Sequence, residues 1–283
     1  MAYYYNQLSK IEQKAYYAIK EGLLNIAPSF TVPLLDGKTL SDIYFMVRMD
    51  HPVLYMFDGH NVFFDSDATY GKSWGMKEYM DKTKTQMIIA AVECNHSPNN
   101  GRLSEYSPFT FKHPETGFVP GQGKATMEWY IHVFKPMVDR HYRTIPDREH
   151  TFIAGSSMGG LMSVYALMEY NHVFSRAAAL SPSLWASPTE VQNMLSTAHF
   201  EPDTVLYIDY GSEEFGNHKN MRRAFGELAT LLMWRKLSLQ CRIVPDGTHC
   251  EASWEKQIPF FMEALLYNLD SDKENNSDGN KSL

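Results

Sequence analysis

A serine flanked by glycines stands in mid-chain, in the segment Gly155-Ser156-Ser157-Met158-Gly159-Gly160. The apolar run His150–Ala154 before it predicts a strand, and the pattern Leu161–Tyr170 after it predicts a helix. In that context a Gly-x-Ser-x-Gly sequence forms a nucleophile elbow. We therefore predict that Ser157 is a nucleophile on a strained turn, where a side chain at Gly155 or Gly159 would collide with the neighbouring strand and helix. An ordinary Gly/Ser-rich turn between a strand and a helix is the alternative.

A nucleophile of this kind needs hydrogen-bond donors aimed at the oxyanion of a tetrahedral intermediate. Met158 begins the predicted helix, so its backbone N–H is expected to be one donor. The second should come from the loop after an early strand, where Asp58-Gly59-His60-Asn61 follows the apolar run Val53–Phe57. We expect the N–H of His60, or of Gly59 itself, to be that donor. A simple strand-ending turn would have the same sequence.

A base and an acid are predicted in two later loops. His249 lies after the last predicted strand, and Glu213 and Glu214 follow the strand before it. Open α/β sheets gather such loops at the carboxyl ends of their strands. His249 would take the Ser157 proton and return it to the leaving group, while a carboxylate holds the imidazole tautomer and stabilises its cation. The order serine, acid, histidine is that of α/β-hydrolase triads, and Asp209 is a third candidate acid.

His60 also raises the question of a metal site. No second histidine or cysteine stands at ligand spacing from it, and His218 in Asn217-His218-Lys219 is isolated. The sequence therefore predicts neither a metal nor another cofactor.

The elements that must position these residues form a regular pattern from Val53 onward. Short apolar runs, typical of parallel strands buried on both faces, lie at Val53–Phe57, Met87–Val92, Thr151–Ala154, Ala177–Leu180, Val205–Ile208 and Leu239–Val244. Helical patterns lie at Met127–Val138, with a kink expected at Pro136, at Met221–Lys236 and at Trp254–Leu269. Strands that alternate with helices predict a doubly wound, mostly parallel α/β sheet with helices on both faces.

The composition narrows the function classes. The chain has 283 residues, 44% of them hydrophobic, and a net charge of −7, which disfavours nucleic acid or an anionic membrane surface as a partner. Its three cysteines have no disulfide-framework spacing, which favours a reduced compartment. The N-terminus lacks the regions of a signal peptide, and no apolar run reaches the ~20 residues of a membrane helix. We expect a cytoplasmic protein of undetermined oligomeric state with no nucleic-acid or membrane partner.

The two ends differ from the middle of the chain. Helical spacing predicts an atypical helical segment over residues 1–51, and the polar tail 270–283 is expected to be disordered. Residues 52–269 should form the α/β domain.

A set of stretches, each weak alone, is specific in combination. They are Val53 to Asn61, Arg102 to Pro108, Gly155–Gly160, Ser181 to Trp185, Gly211–Glu214, and Gly247-Thr248-His249 with Trp254. Together they resemble the "Putative esterase" family of the α/β-hydrolases over residues 52–269. That family includes enterochelin esterases, feruloyl and acetylxylan esterases, and S-formylglutathione hydrolase. Its members open with an antiparallel hairpin, whereas the start of this chain looks helical, unless Tyr44–Met49 supplies one of the strands.

The resemblance implies hydrolysis of a small-molecule carboxylic ester. It implies Ser157 as nucleophile, His249 as base and, by its position after Gly211, Glu214 as acid. It also implies that three further residues lie near the acyl or alcohol pocket: Tyr106, Ser181 and Trp185.

We therefore expect a serine esterase that works through an acyl-enzyme intermediate. A thioesterase of the S-formylglutathione hydrolase type and a catalytically silent α/β-hydrolase binding module are the alternatives. The segment Cys94–Gly123 is long, carries Phe109, Phe111 and Phe118, and is expected to cap the site and favour small or aromatic acyl groups.

Overall fold

Six parallel strands form the main sheet of the protein, for which a computed structural model describes residues 50–97, 101–216 and 221–269. The strands are β1 Val53–Met56, β2 Ile88–Ala91, β5 Thr151–Ser156, β6 Arg176–Leu180, β7 Val205–Gly211 and β8 Ser238–Val244. Their order across the sheet is β2-β1-β5-β6-β7-β8. Two short strands, β3 Phe111–His113 and β4 Gly117–Val119, pair separately as an antiparallel hairpin. The predicted α/β class is confirmed, and each apolar run in the sequence corresponds to a strand.

Five of the six strands are fully buried. Every residue of β1, β2, β5, β6 and β7 is buried, as continuous apolar runs require. The edge strand β8 has exposed and half-buried residues instead. The core therefore extends from the β2 edge of the sheet to β7, and β8 is the strand that it leaves partly exposed.

Helices pack around this sheet. They are α1 Met76–Thr83, α2 Gly101–Glu105, α3 Gly123–Trp129, α4 Lys135–His141, α5 Met158–Glu169, α6 Pro188–Thr197, α7 Met221–Met233, α8 Glu251–Glu255 and α9 Ile258–Leu266. Helix α5 packs against β5 and β6, and all of it except Glu169 is buried. In the parts of the chain that the structure describes, none of the helices has both the length and the apolar character needed to cross a bilayer.

Two predicted helices are interrupted. A π-helical turn, Tyr130–Phe134, separates α3 from α4 just before the proline at which we expect a kink. Pro136 lies in the first turn of α4. Similarly, the predicted helix Trp254–Leu269 consists of α8 and α9, which meet at Gln257 just before Pro259.

The predicted N-terminal helical segment and the predicted disordered tail lie outside the described residues, apart from Asp50 and His51. His51 pairs with Thr144 in an isolated parallel bridge, and its N–H donates to Arg143 O. His218 likewise lies outside the described residues.

Candidate active site

Ser157 occupies the turn between β5 and α5 with a φ of 56° and a ψ of −120°. A side chain other than glycine is strained at such a positive φ, so the predicted strained elbow is present. A Cβ on Gly155 would lie 2.6 Å from Gly159 C, and a Cβ on Gly159 would lie 3.0 Å from Phe57 Cβ. The two glycines therefore let strand and helix approach closely enough to expose the serine at the top of the sheet.

The Ser157 hydroxyl faces a cavity of about 590 Å³ at the carboxyl ends of the strands. His249 also lines this cavity. In the conformation described, the Ser157 Oγ lies 3.3 Å from Ser183 Oγ. No hydrogen bond joins Ser157 to His249 among the described residues, so the hydroxyl must turn away from Ser183 before it can give its proton to the imidazole.

His249 is held by a buried carboxylate. Its Nδ1 lies 2.7 Å from Glu214 Oε2, and the Glu214 side chain is 1% exposed. The other carboxylate oxygen, Oε1, accepts hydrogen bonds from Ser181 Oγ at 2.7 Å and from Gly211 N at 2.9 Å. The Trp254 ring packs edge-on against the imidazole, with centroids 5.1 Å apart. This arrangement fixes the ring so that Nε2 is the nitrogen available to accept a proton.

The loops that carry acid and base touch through their backbones. Glu213 N donates to Gly247 O at 3.1 Å, and a Cβ on Gly247 would lie 2.8 Å from Gly211 Cα. No side chain fits between the end of β7 and the loop after β8 at this point. Glycine at both positions is what brings the Glu214 loop within reach of His249.

The other two candidate acids lie elsewhere. Glu213 is exposed, and its carboxylate pairs with Ser212 Oγ at 3.1 Å. Asp209 is buried and accepts a hydrogen bond from Tyr207 OH at 2.7 Å. Burial raises the pKa of Asp209 to about 7. Of the three carboxylates that the sequence left open, Glu214 is the one that contacts His249.

The backbone near Ser157 offers two free donors. The N–H groups of Met158, at the start of α5, and of His60 have no acceptor among the described residues. Gly59 is different, because its N–H donates to Val92 O at 2.8 Å. Gly59 is thus corrected as a candidate oxyanion donor. A Cβ there would lie 2.9 Å from Val92 C, so the residue is glycine because β1 and β2 end side by side.

A partly buried ion pair in the cavity wall was not predicted. Arg102 Nε and Nη2 each donate to a different oxygen of Asp58 at 2.7 Å. Burial raises the pKa of Asp58, but the charge and hydrogen bonds of Arg102 outweigh that effect and leave the pKa below its ordinary value. The pair joins α2 to the end of β1 and so holds the loop that lines the cavity. The two residues are 44 positions apart, which left no local sequence signal.

Comparison with known proteins identifies the family. A model of the family described as "Putative esterase" matches residues 42–264. The chain belongs to this family. The match confirms the predicted resemblance and begins ten residues earlier than the predicted boundary at residue 52.

Three proteins that this chain resembles in sequence or fold are 16–22% identical to it. The uncharacterized protein YbbA of Bacillus subtilis (strain 168) is 22% identical over 178 residues, which are 61% of this chain and 65% of that protein. The BES protein from Bacillus cereus is 19% identical with a TM-score of 0.58, covering 76% of this chain and 83% of that one. The enterobactin esterase FES from Shigella flexneri, solved in the presence of enterobactin, is 16% identical with a TM-score of 0.61, covering 79% and 53%.

The three residues that the esterase resemblance implies near the acyl or alcohol pocket are not among those that line the cavity, and their role in binding substrate stays a prediction. Ser181 is buried and supports Glu214, while also accepting a hydrogen bond from Trp254 Nε1 at 3.0 Å. Tyr106 is buried, and its hydroxyl oxygen accepts the Asp58 N–H at 3.1 Å. Trp185 packs against Phe111 of β3 at 5.8 Å. Each of the three contacts other residues of the structure around the site.

A histidine and a cysteine do lie close to His60 in space, contrary to what the spacing along the sequence indicated. His60, Cys94 and His96 each offer a ligand atom, and these atoms lie within 4.8 Å of one another. Linear spacing hid the group because His60 follows β1 whereas the other two follow β2, the neighbouring strand. All three residues line the cavity that contains Ser157. Burial lowers the pKa of His60 and raises that of the Cys94 thiol to about 12.

Proposed function

We propose that this member of the esterase family is a serine carboxylic ester hydrolase that works through an acyl-enzyme intermediate. The observation that carries the proposal is the buried Glu214–His249 contact of 2.7 Å, in the same cavity as the strained Ser157. A silent binding module has no need for a strained turn or for a buried carboxylate aligned on a histidine.

In the first half of the reaction, His249 Nε2 takes the Ser157 proton as Oγ attacks the ester carbonyl carbon. The carbonyl oxygen becomes an oxyanion beside the N–H groups of Met158 and His60. Glu214 stabilises the imidazolium and keeps the ring oriented. The proton then passes from His249 to the alcohol oxygen, and the alcohol leaves.

In the second half, the same groups act on water. His249 takes a proton from a water molecule, which attacks the acyl carbon on Ser157 Oγ. Collapse of the second tetrahedral intermediate returns the proton to Ser157 and releases the carboxylic acid. The chain itself supplies every group in this cycle.

The cavity suggests the kind of ester. Its walls include many polar side chains, among them Asn61, Asn95 and Arg102, and its volume of about 590 Å³ suits a small or aromatic substrate. Arg102 and Leu103 of the segment Cys94–Gly123 form part of the wall, which supports the capping role expected for that segment. Its exposed Phe118 does not line the cavity.

Thioesters remain the second candidate, because the same triad chemistry acts on them. The test is a panel of p-nitrophenyl esters, a feruloyl ester and S-formylglutathione, with Ser157→Ala as the matched control. We expect turnover of at least one oxygen ester, and labelling of the wild type by a fluorophosphonate probe that Ser157→Ala prevents. A wild-type protein that is neither labelled nor active would identify the silent module, and turnover of S-formylglutathione alone would identify the thioesterase.

A reduced, cytoplasmic setting is part of the proposal. It is supported by the three cysteines, Cys94, Cys241 and Cys250, all of which are free.

A further inference from the structure

A group of nitrogen and sulfur side chains lies in the cavity wall beside the triad. Cys94 Sγ lies 4.0 Å from His96 Nδ1, and the rings of His60 and His96 meet edge to face with centroids 4.9 Å apart. The catalytic cycle proposed above uses none of these three side chains, since His60 would contribute only its backbone N–H.

One nitrogen atom of the group is buried without a hydrogen-bond partner in the described part of the chain. His60 Nδ1 is buried and has no hydrogen-bond partner among the described residues. Leaving a buried polar nitrogen unpaired is unfavourable. When Nε2 carries the ring proton, Nδ1 has a free lone pair, as a metal ligand requires.

The opposite nitrogen of the His60 ring already has a partner, since His60 Nε2 pairs with Thr69 Oγ1 at 3.0 Å. Histidines that bind metals typically direct their second nitrogen to such an oxygen, which fixes the tautomer and orients the ring. His96 Nε2 lies 3.9 Å from Glu93 Oε2, which is beyond hydrogen-bonding distance. His60 therefore has Nδ1 left for a ligand, and His96 Nδ1 is the nitrogen that lies near Cys94 Sγ.

We propose that His60, Cys94 and His96 bind a divalent transition-metal ion of the zinc type in the wall of the active-site cavity. Nitrogen and thiolate ligands select zinc-like ions over magnesium and calcium, which prefer oxygen. Three protein ligands leave a fourth tetrahedral position, which faces the cavity and takes water. As the metal–sulfur bond forms, the Cys94 thiol releases its proton to solvent.

The geometry is close to what the ion needs. Tetrahedral zinc places nitrogen and sulfur ligands roughly 3.4–3.6 Å apart, and the three ligand atoms here lie within 4.8 Å of one another. His96 is exposed and can move inward to close the difference, whereas Cys94 is buried and fixed. Binding would therefore draw the His96 side of the loop toward the other two ligands.

An ion at this position would hinder hydrolysis. It would narrow the cavity shared with Ser157 and His249 and would hold His60, whose N–H is a proposed oxyanion donor. This consequence rests on the proposed function, whereas metal binding itself does not.

The binding test uses Zn²⁺ in calorimetry and Co²⁺ in absorption spectroscopy, with the metal-stripped full-length chain. We expect one ion per chain and a cobalt spectrum with a thiolate charge-transfer band. His96→Ala, an exposed position that should not disturb folding, is expected to weaken binding at least about tenfold. Cys94→Ser should abolish the charge-transfer band. The matched controls Cys241→Ser and Cys250→Ser should leave both readouts unchanged.

Two outcomes would overturn the site. Unchanged affinity in His96→Ala would remove the group as a ligand set. Loss of the charge-transfer band in Cys250→Ser would move the ion to the neighbourhood of His249.

Hydrolysis is then measured with and without Zn²⁺, each variant relative to its own ion-free rate. Wild-type activity should fall with Zn²⁺ and His96→Ala should resist. Undiminished hydrolysis by the zinc-loaded wild type would overturn the inhibitory role, and a wild type that hydrolyses no ester but binds zinc would count against the proposed function instead.

Discussion

Ser181 donates a hydrogen bond of 2.7 Å to Glu214 Oε1, and the same hydroxyl oxygen accepts the Trp254 indole N–H at 3.0 Å. This bridge leaves Oε2 of the carboxylate directed at His249. A residue expected at the substrate pocket thus acts one layer behind the proposed acid, and it ties the acid to the helix that follows the base.

Ser181→Ala is therefore expected to lower kcat by about tenfold, which corresponds to the orienting effect of one hydrogen bond. KM should change little, because the side chain does not line the cavity. The pH profile of kcat/KM should shift, since the Glu214 contact with His249 loosens. Ser187→Ala is the matched control, because Ser187 is a buried serine whose hydroxyl has no partner among the described residues. A larger change in KM than in kcat would contradict the positioning role.

Glu214→Gln should reduce kcat by about 10²–10⁴-fold, because an amide favours the wrong His249 tautomer and cannot stabilise its cation. Glu213→Gln changes the neighbouring, exposed residue and should stay close to wild type. Steady-state kinetics on the best ester of the panel decides between them. A greater loss in Glu213→Gln would assign the acid to the other glutamate.

Ser157→Ala should lower kcat by several orders of magnitude while the circular dichroism spectrum stays unchanged. Ser157→Gly should be equally inactive, but its free energy of unfolding should exceed that of Ser157→Ala by about 1 kcal/mol, because glycine accepts the positive φ of the elbow without strain. Denaturant unfolding of the three proteins measures this difference. Equal stability of Ser157→Gly and Ser157→Ala would show that the turn stores no strain.

Asp209 should make stability depend on pH. Its pKa is raised to about 7 by burial, so between the unfolded value and pH 7 the folded protein binds more protons than the unfolded one. The free energy of unfolding therefore falls as pH rises through this window. Asp209→Asn should remove that fall. The free energy of unfolding of the variant should therefore rise relative to that of the wild type as pH goes from 5 to about 8. The prediction would be refuted if the free energies of unfolding of the two proteins, measured in urea, changed with pH by the same amount.

Ester chain length tests the cavity. Because the cavity volume is about 590 Å³ and polar side chains form part of its wall, short or aromatic acyl esters should turn over faster than long-chain ones. A series of p-nitrophenyl esters from acetate to palmitate gives the comparison. Faster hydrolysis of the palmitate would contradict both the cavity argument and the capping role of Cys94–Gly123.

The sequence was sufficient for features that depend on local pattern. Continuous apolar runs predicted the strands, and the glycine spacing around Ser157 predicted the elbow. The rule that loops meet at the carboxyl ends of parallel strands placed His249 and the glutamates together. The first two inferences succeeded because they depend on residues close in sequence, and the third because it uses a property common to open parallel sheets.

Features that depend on which strands are neighbours could not be predicted. Ser181 and Glu214 are 33 positions apart, and nothing local marks the serine as a donor to the acid. The His60 and Cys94 side chains meet because β1 and β2 pair in parallel, with Met56 opposite Ala91. The order of the strands in the sheet is what the sequence does not reveal, because spacing along the chain relates only residues of one segment.

The backbone contact between Gly211 and Gly247 means that acid and base move as one unit. The parts of the cavity wall therefore differ in how well they should tolerate substitution. Insertions or bulky residues in the Glu214 or His249 loops would push the pair apart, whereas the wall at Tyr70 is exposed and has no such backbone contact among the described residues. A library that seeks new ester specificity should vary that wall and keep both glycines.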